Sequence, residues 1–419
     1  MSSRFSIKNY ISADVFQWLV VACCLCIFAG FVSARAVASI GMIALVAISL
    51  LYNGIPQTIK AYLAQKQLLV LSLFFLIVLF SGLYSADKQD WLNWVRIKVP
   101  FITLPLAFAA MPKLDGTKFK AVIYGFAATM FIGLTIVLVN YYLHYDAITE
   151  ATQYGKPIPI PFKHSHISHI RFTLMIAFAF FACWYLLEKK LWLTGESNKW
   201  ALYILMVYFF AALHILTVRS SLLALYAGAF VLLVRLIIVK RSWAIGVVSL
   251  ALLTLTPYLA LKFIPSFKNK YEYMRYDYFT TRSGDIKNLS DGPRVASMHG
   301  AVEVAKQNLW LGTGAGDLRP AMEAYYNANY PNLPEADRKL PHNQLLWTLA
   351  TTGIIGLSLF LLAFFYPLVV NRHYTNWLML VLHLTLFSSF FTEATFEEQI
   401  GAGFYLTLLL VLMNQMRHE

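Results

Sequence analysis

Long apolar runs dominate the chain and alternate with short polar links along most of its length. A helix that crosses a bilayer needs roughly 20 mostly apolar residues, and the longer runs reach this length. The pattern therefore predicts an all-α polytopic membrane protein with about 12 transmembrane helices. The predicted spans lie near residues 15–33, 37–52, 67–84, 97–112, 120–142, 170–187, 200–217, 220–239, 243–261, 345–370, 377–391 and 400–414.

An even number of spans places both termini on the same side of the membrane. Cytoplasmic links of membrane proteins are enriched in Lys and Arg. Alternate links of this chain hold such cations, for example Lys118, Lys120 and Lys189. The opposing link 392–399 contains three glutamates and no cation. We therefore predict that the N-terminus and the C-terminus are both cytoplasmic.

Two longer polar segments fall on the opposite, outer side in this topology. Residues 143–169 form the shorter one, and residues 262–344 form the only segment large enough to fold outside the bilayer. The longer segment is rich in Tyr, Trp, Leu and Gly, which favours an ordered loop with short helices. Within it, residues 293–308 carry apolar side chains at helical spacing, with Asp291 available as an N-cap.

The composition agrees with lipid as the main surroundings of the chain. Hydrophobic residues make up 59% of the 419 residues and charged residues only 13%, against about a quarter in soluble domains. The formal net charge of +13 is explained by cationic cytoplasmic links, so no nucleic-acid partner is expected. We divide the chain into helices over 1–261, an outer loop over 262–344 and helices over 345–419.

Two arginines stand where an anion could bind at the outer membrane surface. Arg219 lies in a short link between two long apolar runs, where a cation normally faces a cavity or a partner. Arg294 begins the predicted loop helix, whose positive end adds to the attraction for an anion. A guanidinium offers a rigid fork of donors to phosphate oxygens. The alternatives are a snorkelling Arg219 at a helix end and a solvated Arg294.

His342 lies where the outer loop re-enters the membrane, in the sequence Pro-His-Asn-Gln-Leu-Leu. A neutral imidazole there could take a proton from a hydroxyl group, and the positive end of the following helix would favour the neutral form. The alternative is a capping or interfacial residue. Glu393, with Glu397 and Glu398, forms an acidic patch that could orient a substrate or pair with an arginine. The polar residues expected to line a cavity at this surface are His164, His166, His169, Arg171, Asn343 and Glu393.

Neither a metal site nor a nucleotide site is predicted, and no cofactor is expected. The three histidines between residues 164 and 169 have no carboxylate or cysteine among them, and their spacing matches no zinc pattern. The glycines Gly312, Gly314 and Gly316 follow a predicted helix rather than a strand, unlike the glycines of a nucleotide-binding turn.

Taken in order, these motifs resemble the O-antigen ligase family, which includes polymerase-like and oligosaccharide-transferring relatives. The resemblance runs over about residues 200–356. It rests on Arg219 in a short outer link, on Gly-Pro-Arg294 opening the loop helix, and on Pro-His342-Asn-Gln-Leu-Leu before a spanning helix. The Leu-Gly-Thr-Gly-Ala-Gly turn lies between the last two motifs.

The resemblance implies transfer of a glycan from an undecaprenyl-pyrophosphate carrier to an acceptor hydroxyl, without a metal, at the periplasmic face of the bacterial inner membrane. It implies that Arg219 and Arg294 bind the donor pyrophosphate and that His342 is the general base. Lipid A–core is the favoured acceptor, which would make the protein an O-antigen ligase. A repeat-unit acceptor would make it an O-antigen polymerase, and a protein acceptor an O-oligosaccharyltransferase. A transporter or flippase is disfavoured because no internal repeat is seen.

Overall fold

The computed structural model describes residues 8, 10–192, 195, 198–240, 243–282, 286 and 289–417. Over these residues the regular structure is helical, with no strand, which confirms the predicted all-α class. Short 3₁₀ helices cover Glu335–Asp337, Val370–Thr375 and Thr395–Glu397. The α-helices are α1 (Ala13–Val32), α2 (Arg35–Asn53), α3 (Ile55–Ala64), α4 (Lys66–Leu71), α5 (Leu73–Ser81), α6 (Lys88–Lys98), α7 (Pro100–Ala109), α8 (Gly116–Leu143), α9 (Tyr145–Gln153), α10 (His169–Glu188), α11 (Asn198–Leu216), α12 (Arg219–Lys240), α13 (Trp243–Phe263), α14 (Pro265–Arg282), α15 (Gly292–Gln307), α16 (Leu318–Asn329), α17 (Gln344–Val369), α18 (Trp377–Phe390) and α19 (Gln399–Met416).

Eight helices are long and apolar enough to cross a membrane, judged by length and composition within the described residues. They are α1, α2, α8, α10, α11, α12, α17 and α19. A ninth crossing results if α3 continues into α4 and α5, which it meets at a 90° bend. The predicted span near 97–112 contains only the 10-residue α7, and α18 has 14 residues. These helices indicate a multi-pass membrane protein, whereas the count of about 12 spans stays a prediction.

Helices α10 and α19 form the centre of the bundle. They are buried over 89% and 83% of their most apolar stretches, whereas only 33% is buried in α2, α11 and α12. Phe126, Phe178 and Phe404 pack there with all three pairs of ring centroids 5.9 Å apart. Such separations suit attractive ring contacts. A helix that is apolar on all sides is stable either in this centre or against lipid.

The two chain ends lie at the same end of the bundle. The side chain of Asn414 accepts a hydrogen bond of 2.9 Å from the backbone N–H of Leu114. Lys118, at the start of α8, forms an ion pair with Asp14 at the start of α1. This arrangement agrees with termini on a common side of the membrane, and the choice of the cytoplasmic side stays a prediction.

The segment 262–344 lies at the opposite end and contains α14, α15 and α16 within its described residues. Helix α15, Gly292–Gln307, confirms the loop helix predicted over 293–308. Asp291 occupies the expected N-cap position, but its side chain makes no cap hydrogen bond. The αR conformation of Asp291, with φ −96° and ψ −34°, differs from the extended backbone of a side-chain cap. The location of this segment in the periplasm stays a prediction.

The glycine-rich turn after α15 joins this segment to α17. The N–H of Thr313 donates to the carbonyl of Ala350 at 2.9 Å, and that of Gly314 to Thr351 at 2.8 Å. These carbonyls are accessible because α17 is interrupted at Gly353, where φ is 65° and ψ is −169°. That conformation is essentially restricted to glycine. The turn therefore fixes the loop against the helix that follows His342.

Candidate functional site

A cavity of about 1020 Å³ lies at the end of the bundle opposite the termini. Its walls come from the α11–α12 link, the start of α10, helices α14 and α15, and the segments after α9 and α18. Arg219, Arg294 and His342 all line this cavity. The fold thus brings together three residues that are widely separated in the sequence.

Arg219 is positioned by a reversal of only two residues between α11 and α12. Thr217 has a φ of 55°, a left-handed conformation that β-branched residues rarely adopt. Its N–H still donates to the carbonyl of Leu213 at 3.1 Å, which closes the last turn of α11. Arg219 is consequently the first residue of α12, and it faces the cavity with 43% of its side chain exposed.

Asp291 lies between the two arginines. Arg219 donates to both of its carboxylate oxygens, with Nη1–Oδ2 at 2.7 Å and Nη2–Oδ1 at 2.5 Å. Nη1 of Arg294 lies 3.6 Å from Oδ1 of Asp291. Burial alone would raise the pKa of Asp291, but the hydrogen bonds and charge of Arg219, with Arg294 and Lys270, lower this pKa below its usual range. An ionised carboxylate therefore occupies the place predicted for an anion.

The backbone that carries Asp291 is held by Asp277 of α14. The Asp277 carboxylate is 1% exposed and accepts the N–H groups of Ser290 and Asp291 at 2.9 and 2.8 Å. The hydroxyl of Thr281 donates to its other oxygen at 3.2 Å. Three donors satisfy this buried carboxylate and fix the entry into α15.

Lys270 of α14 also lines the cavity, and the sequence analysis missed it. Its Nζ donates to the carbonyl of Gly155 at 3.1 Å and lies 5.6 Å from the ring centroid of Tyr273. Burial, followed by the charge of Arg219, lowers the pKa of Lys270 to about 8. Among the described residues the cavity is lined by more cations than acids: Lys156, Arg219, Lys270, Arg275, Arg282 and Arg294 against Asp277 and Asp291.

His342 lies two residues before α17, on the cavity wall shared with α15. Burial, followed by the charges of Arg294 and Lys339, lowers the pKa of His342 to about 4. Its imidazole is therefore neutral at physiological pH. A neutral imidazole can accept a proton, whereas an imidazolium cannot.

Residues 204–361 match the family model described as O-antigen ligase. Over these 158 of its 419 residues the chain is similar to the O-antigen ligase family. The match confirms the resemblance drawn over residues 200–356, and it contains Arg219, Arg294 and His342. No curated protein matches this chain.

The start of α17 is fixed by a buried polar network. Gln344 donates from Nε2 to Oε1 of Glu397 at 2.7 Å and accepts the N–H of Phe396 at 2.8 Å. The ammonium of Lys98 lies 2.7 Å from the same Glu397 oxygen, with side-chain exposures of 3% and 6%. This network holds the backbone that carries His342 against the segment before α19.

The predicted histidine cluster is spread over different environments. His169, at the start of α10, lines the cavity. His164 and His166 are exposed on the preceding link and are not among the lining residues. In the part of the chain that the structure describes, no group of three or more His, Cys, Asp or Glu side chains is placed to hold a metal ion.

The other residues expected to line the cavity have partners elsewhere. Arg171 is 4% exposed, with Nη2 3.0 Å from Glu393 and Nη1 2.9 Å from Glu398. Asn343 caps α17 by accepting the N–H of Leu346 at 3.0 Å. A buried charge requires a counter-ion, so Arg171 and Glu393 pair with each other instead of facing the cavity. None of Arg171, Glu393 and Asn343 is among its described lining residues.

Proposed function

We propose that this protein transfers a glycan from an undecaprenyl-pyrophosphate carrier to a hydroxyl of lipid A–core, and is thus an O-antigen ligase at the periplasmic face of the bacterial inner membrane. The observation that carries the proposal is that Arg219, Arg294 and His342 line a single cavity. All three lie within the region that matches the O-antigen ligase family.

In the proposed reaction, the acceptor oxygen forms a bond to the anomeric carbon of the donor sugar. The bond from that carbon to the phosphate oxygen breaks, and undecaprenyl pyrophosphate leaves with the electron pair. Arg219 and Arg294 stabilise the charge that develops on this leaving group, and the reaction is metal-independent because the guanidinium groups supply that stabilisation. Fixed donors of this kind contribute about 10²–10³ in rate.

His342 takes the proton of the acceptor hydroxyl as the new bond forms. The neutral imidazole that this role requires is favoured by burial and by the nearby cations, which lower the pKa of His342 to about 4. A bound pyrophosphate would offset those cations and raise this pKa. The imidazole would therefore become a stronger base when the donor is in place.

The size and surface of the cavity support a large amphipathic donor. Its volume of about 1020 Å³ is at the upper limit of small-molecule pockets, which span about 300–1,000 Å³. Tyr271, Met274 and Phe279 of α14 add apolar surface beside the cations. A pyrophosphate, a donor sugar and an acceptor hydroxyl can be accommodated together.

The test is glycan transfer by purified protein supplied with a lipid-linked glycan and lipid A–core. His342→Ala is expected to lose about 10²–10⁴ in rate, the contribution typical of a general base. His299→Ala is the matched control, because His299 is exposed on α15 and is not among the cavity-lining residues. Full activity of a folded His342→Ala protein would overturn the proposal.

The acceptor is identified by mass spectrometry of lipopolysaccharide and secreted proteins from a strain that lacks the gene. Loss of glycan from lipid A–core is expected. Shortened glycan chains that remain attached to lipid A–core would instead indicate an O-antigen polymerase. Loss of glycan from secreted proteins would indicate an O-oligosaccharyltransferase. Transfer in detergent micelles, where there is no compartment to cross, would exclude a transporter or flippase as the explanation.

A further inference from the structure

The carboxylate of Asp291 has the geometry of a ligand of the arginines. Its two oxygens meet the two Nη groups of Arg219 at 2.7 and 2.5 Å, which is the paired arrangement that a guanidinium also forms with a phosphate. Arg294 approaches the same carboxylate to 3.6 Å. The donors that would bind a pyrophosphate are therefore already engaged by a residue of the chain itself.

Asp291 also has a second position available to it. It directly precedes α15, and Asp is among the best N-cap residues, yet its side chain makes no cap hydrogen bond. Pro293 has no N–H group, so the first turn of α15 offers the N–H groups of Gly292 and Arg294. A change in its ψ angle would move the carboxylate from Arg219 to these N–H groups. Asp291 would then still be hydrogen-bonded after leaving the arginines.

Lys270 lies in the same cavity as the two arginines that Asp291 contacts. It lines the cavity with Arg219 and Arg294, and its ammonium has a protein acceptor only in the carbonyl of Gly155 among the described residues. An ammonium has three donors, so two remain for a ligand. Arg294 likewise has a buried Nε without a hydrogen-bond partner in the described part of the chain.

We infer that Lys270 is a third pyrophosphate-binding cation, and that Asp291 occupies the anion site until a diphosphate replaces it. This inference rests on the proposed function, because it assigns the pyrophosphate to the same site. Arg219, Arg294 and Lys270, here called the cation cluster, would together face the two bridged phosphate groups.

The charges favour replacement of Asp291 over shared occupancy. A donor pyrophosphate brings two negative charges to a cluster of three cations, whereas Asp291 brings one. A carboxylate that stayed within hydrogen-bond distance of the same guanidinium would repel the incoming phosphate. While Asp291 occupies the site, a ligand cannot bind there. The apparent affinity for the ligand therefore equals the intrinsic affinity multiplied by the fraction of protein in which the site is free.

The first test measures the binding of inorganic pyrophosphate to the full-length protein in lipid nanodiscs by calorimetry. Asp291→Asn and Asp291→Ser remove the competing charge, and Ser keeps the capacity to cap α15. Both variants are expected to bind pyrophosphate about tenfold more tightly than the unmodified protein. This is the gain expected if Asp291 occupies the site in about 90% of the unmodified protein molecules. Asp146→Asn, at an exposed position of α9, is the control and should leave the affinity unchanged.

The second test concerns the cation cluster. Lys270→Met is expected to weaken pyrophosphate binding about tenfold, the effect of one charge-assisted hydrogen bond. Lys268→Met is the matched control, because Lys268 lies on the same helix with 62% of its side chain exposed. Retention of the elution volume and melting temperature shows that each variant is folded.

Weaker binding by both Asp291 variants would overturn the inference, since Asp291 would then serve to orient Arg219. Unchanged binding by Lys270→Met would overturn the role of Lys270. In either case the proposed function stands if Arg219→Lys weakens binding and His342→Ala loses glycan transfer to the extent expected of a general base. Absence of pyrophosphate binding in the unmodified protein and in both Asp291 variants would overturn the inference and the assignment of the donor site together.

Discussion

Arg219 and Asp291 are joined by two hydrogen bonds of 2.7 and 2.5 Å across the boundary between a spanning helix and the segment 262–344. Arg219 begins α12, whereas Asp291 precedes α15. The pair therefore ties the position of Arg294, three residues after Asp291, to that of Arg219. An anion site that uses both arginines depends on this junction.

Arg219→Lys is expected to reduce glycan transfer at least tenfold, because an ammonium cannot reproduce the paired donors of a guanidinium. The measurement is the initial rate of transfer by purified protein. Arg235→Lys is the control on the same helix, since Arg235 pairs with Glu188 at 2.7 Å and is not among the cavity-lining residues. Equal rates for Arg219→Lys and the unmodified protein would contradict a role for the guanidinium fork.

The ion pair of Lys98 and Glu397 provides a test of how the start of α17 is held. Lys98→Met leaves the buried carboxylate of Glu397 without its counter-ion and is expected to destabilise the protein by about 3–5 kcal/mol. Lys98→Met combined with Glu397→Gln removes both charges and should recover most of that loss. The measurement is thermal unfolding in detergent for the two variants and Glu397→Gln alone. Additive losses in the double variant would contradict the pairing.

The sequence could predict that Arg219, Arg294 and His342 lie near one another, because Arg219 and His342 border apolar runs and Arg294 opens the helix predicted in the segment between them. In the predicted topology, alternation of spans places the Arg219 link, the loop helix and the re-entry point of His342 on one face of the membrane. Their presence in one cavity follows from that topology. The bounds of α15 were predictable for a similar reason, since its apolar positions recur at helical spacing.

Lys270 and Asp277 could not be found in this way. Both lie on α14, a polar helix with aromatic residues on several faces, and no apolar run marks its bounds. Lys270 contacts Gly155, which belongs to the segment 143–169. Such a contact between two loops depends on how α9 and α14 pack, and the spacing of residues along the chain does not predict it.

Counter-ion pairing accounts for the positions of Arg171 and Glu393 in the structure. Arg171 and Glu393 lie on the expected face, but each is buried and they lie 3.0 Å apart. The cost of burying either charge alone makes this pairing favourable. The sequence indicates their side of the membrane and does not indicate whether they face a cavity or each other.

Gly353→Ala is expected to destabilise the protein by about 1–3 kcal/mol. A side chain is strained at its φ of 65° and ψ of −169°, and it would also press on the backbone of Trp310. The measurement is the melting temperature, together with the transfer rate, because the same contact fixes the loop against α17. Gly116→Ala is the control, since a Cβ there meets no atom within 4 Å. A neutral Gly353→Ala would contradict the docking of the glycine-rich turn.

The pH dependence of transfer tests the environment of His342. Protonation of His342 adds a positive charge beside Arg294, Lys339, Arg171 and His169, and together with burial these groups lower its pKa to about 4. A general base must be neutral, so kcat/KM should stay level as the pH falls through neutrality and should decline only near pH 4. An ordinary histidine would give a decline near pH 6.5.

Lys339→Gln tests whether the charge of Lys339 lowers the pKa of His342. Removal of this cation makes protonation of His342 easier and raises its pKa, so the decline in kcat/KM should move to higher pH. Lys306→Gln is the control, because Lys306 is 62% exposed and paired with Glu303, and it should leave the profile in place. A shift to lower pH in Lys339→Gln, or a decline near pH 6.5 in the unmodified protein, would contradict the assignment of His342 as a base embedded among cations.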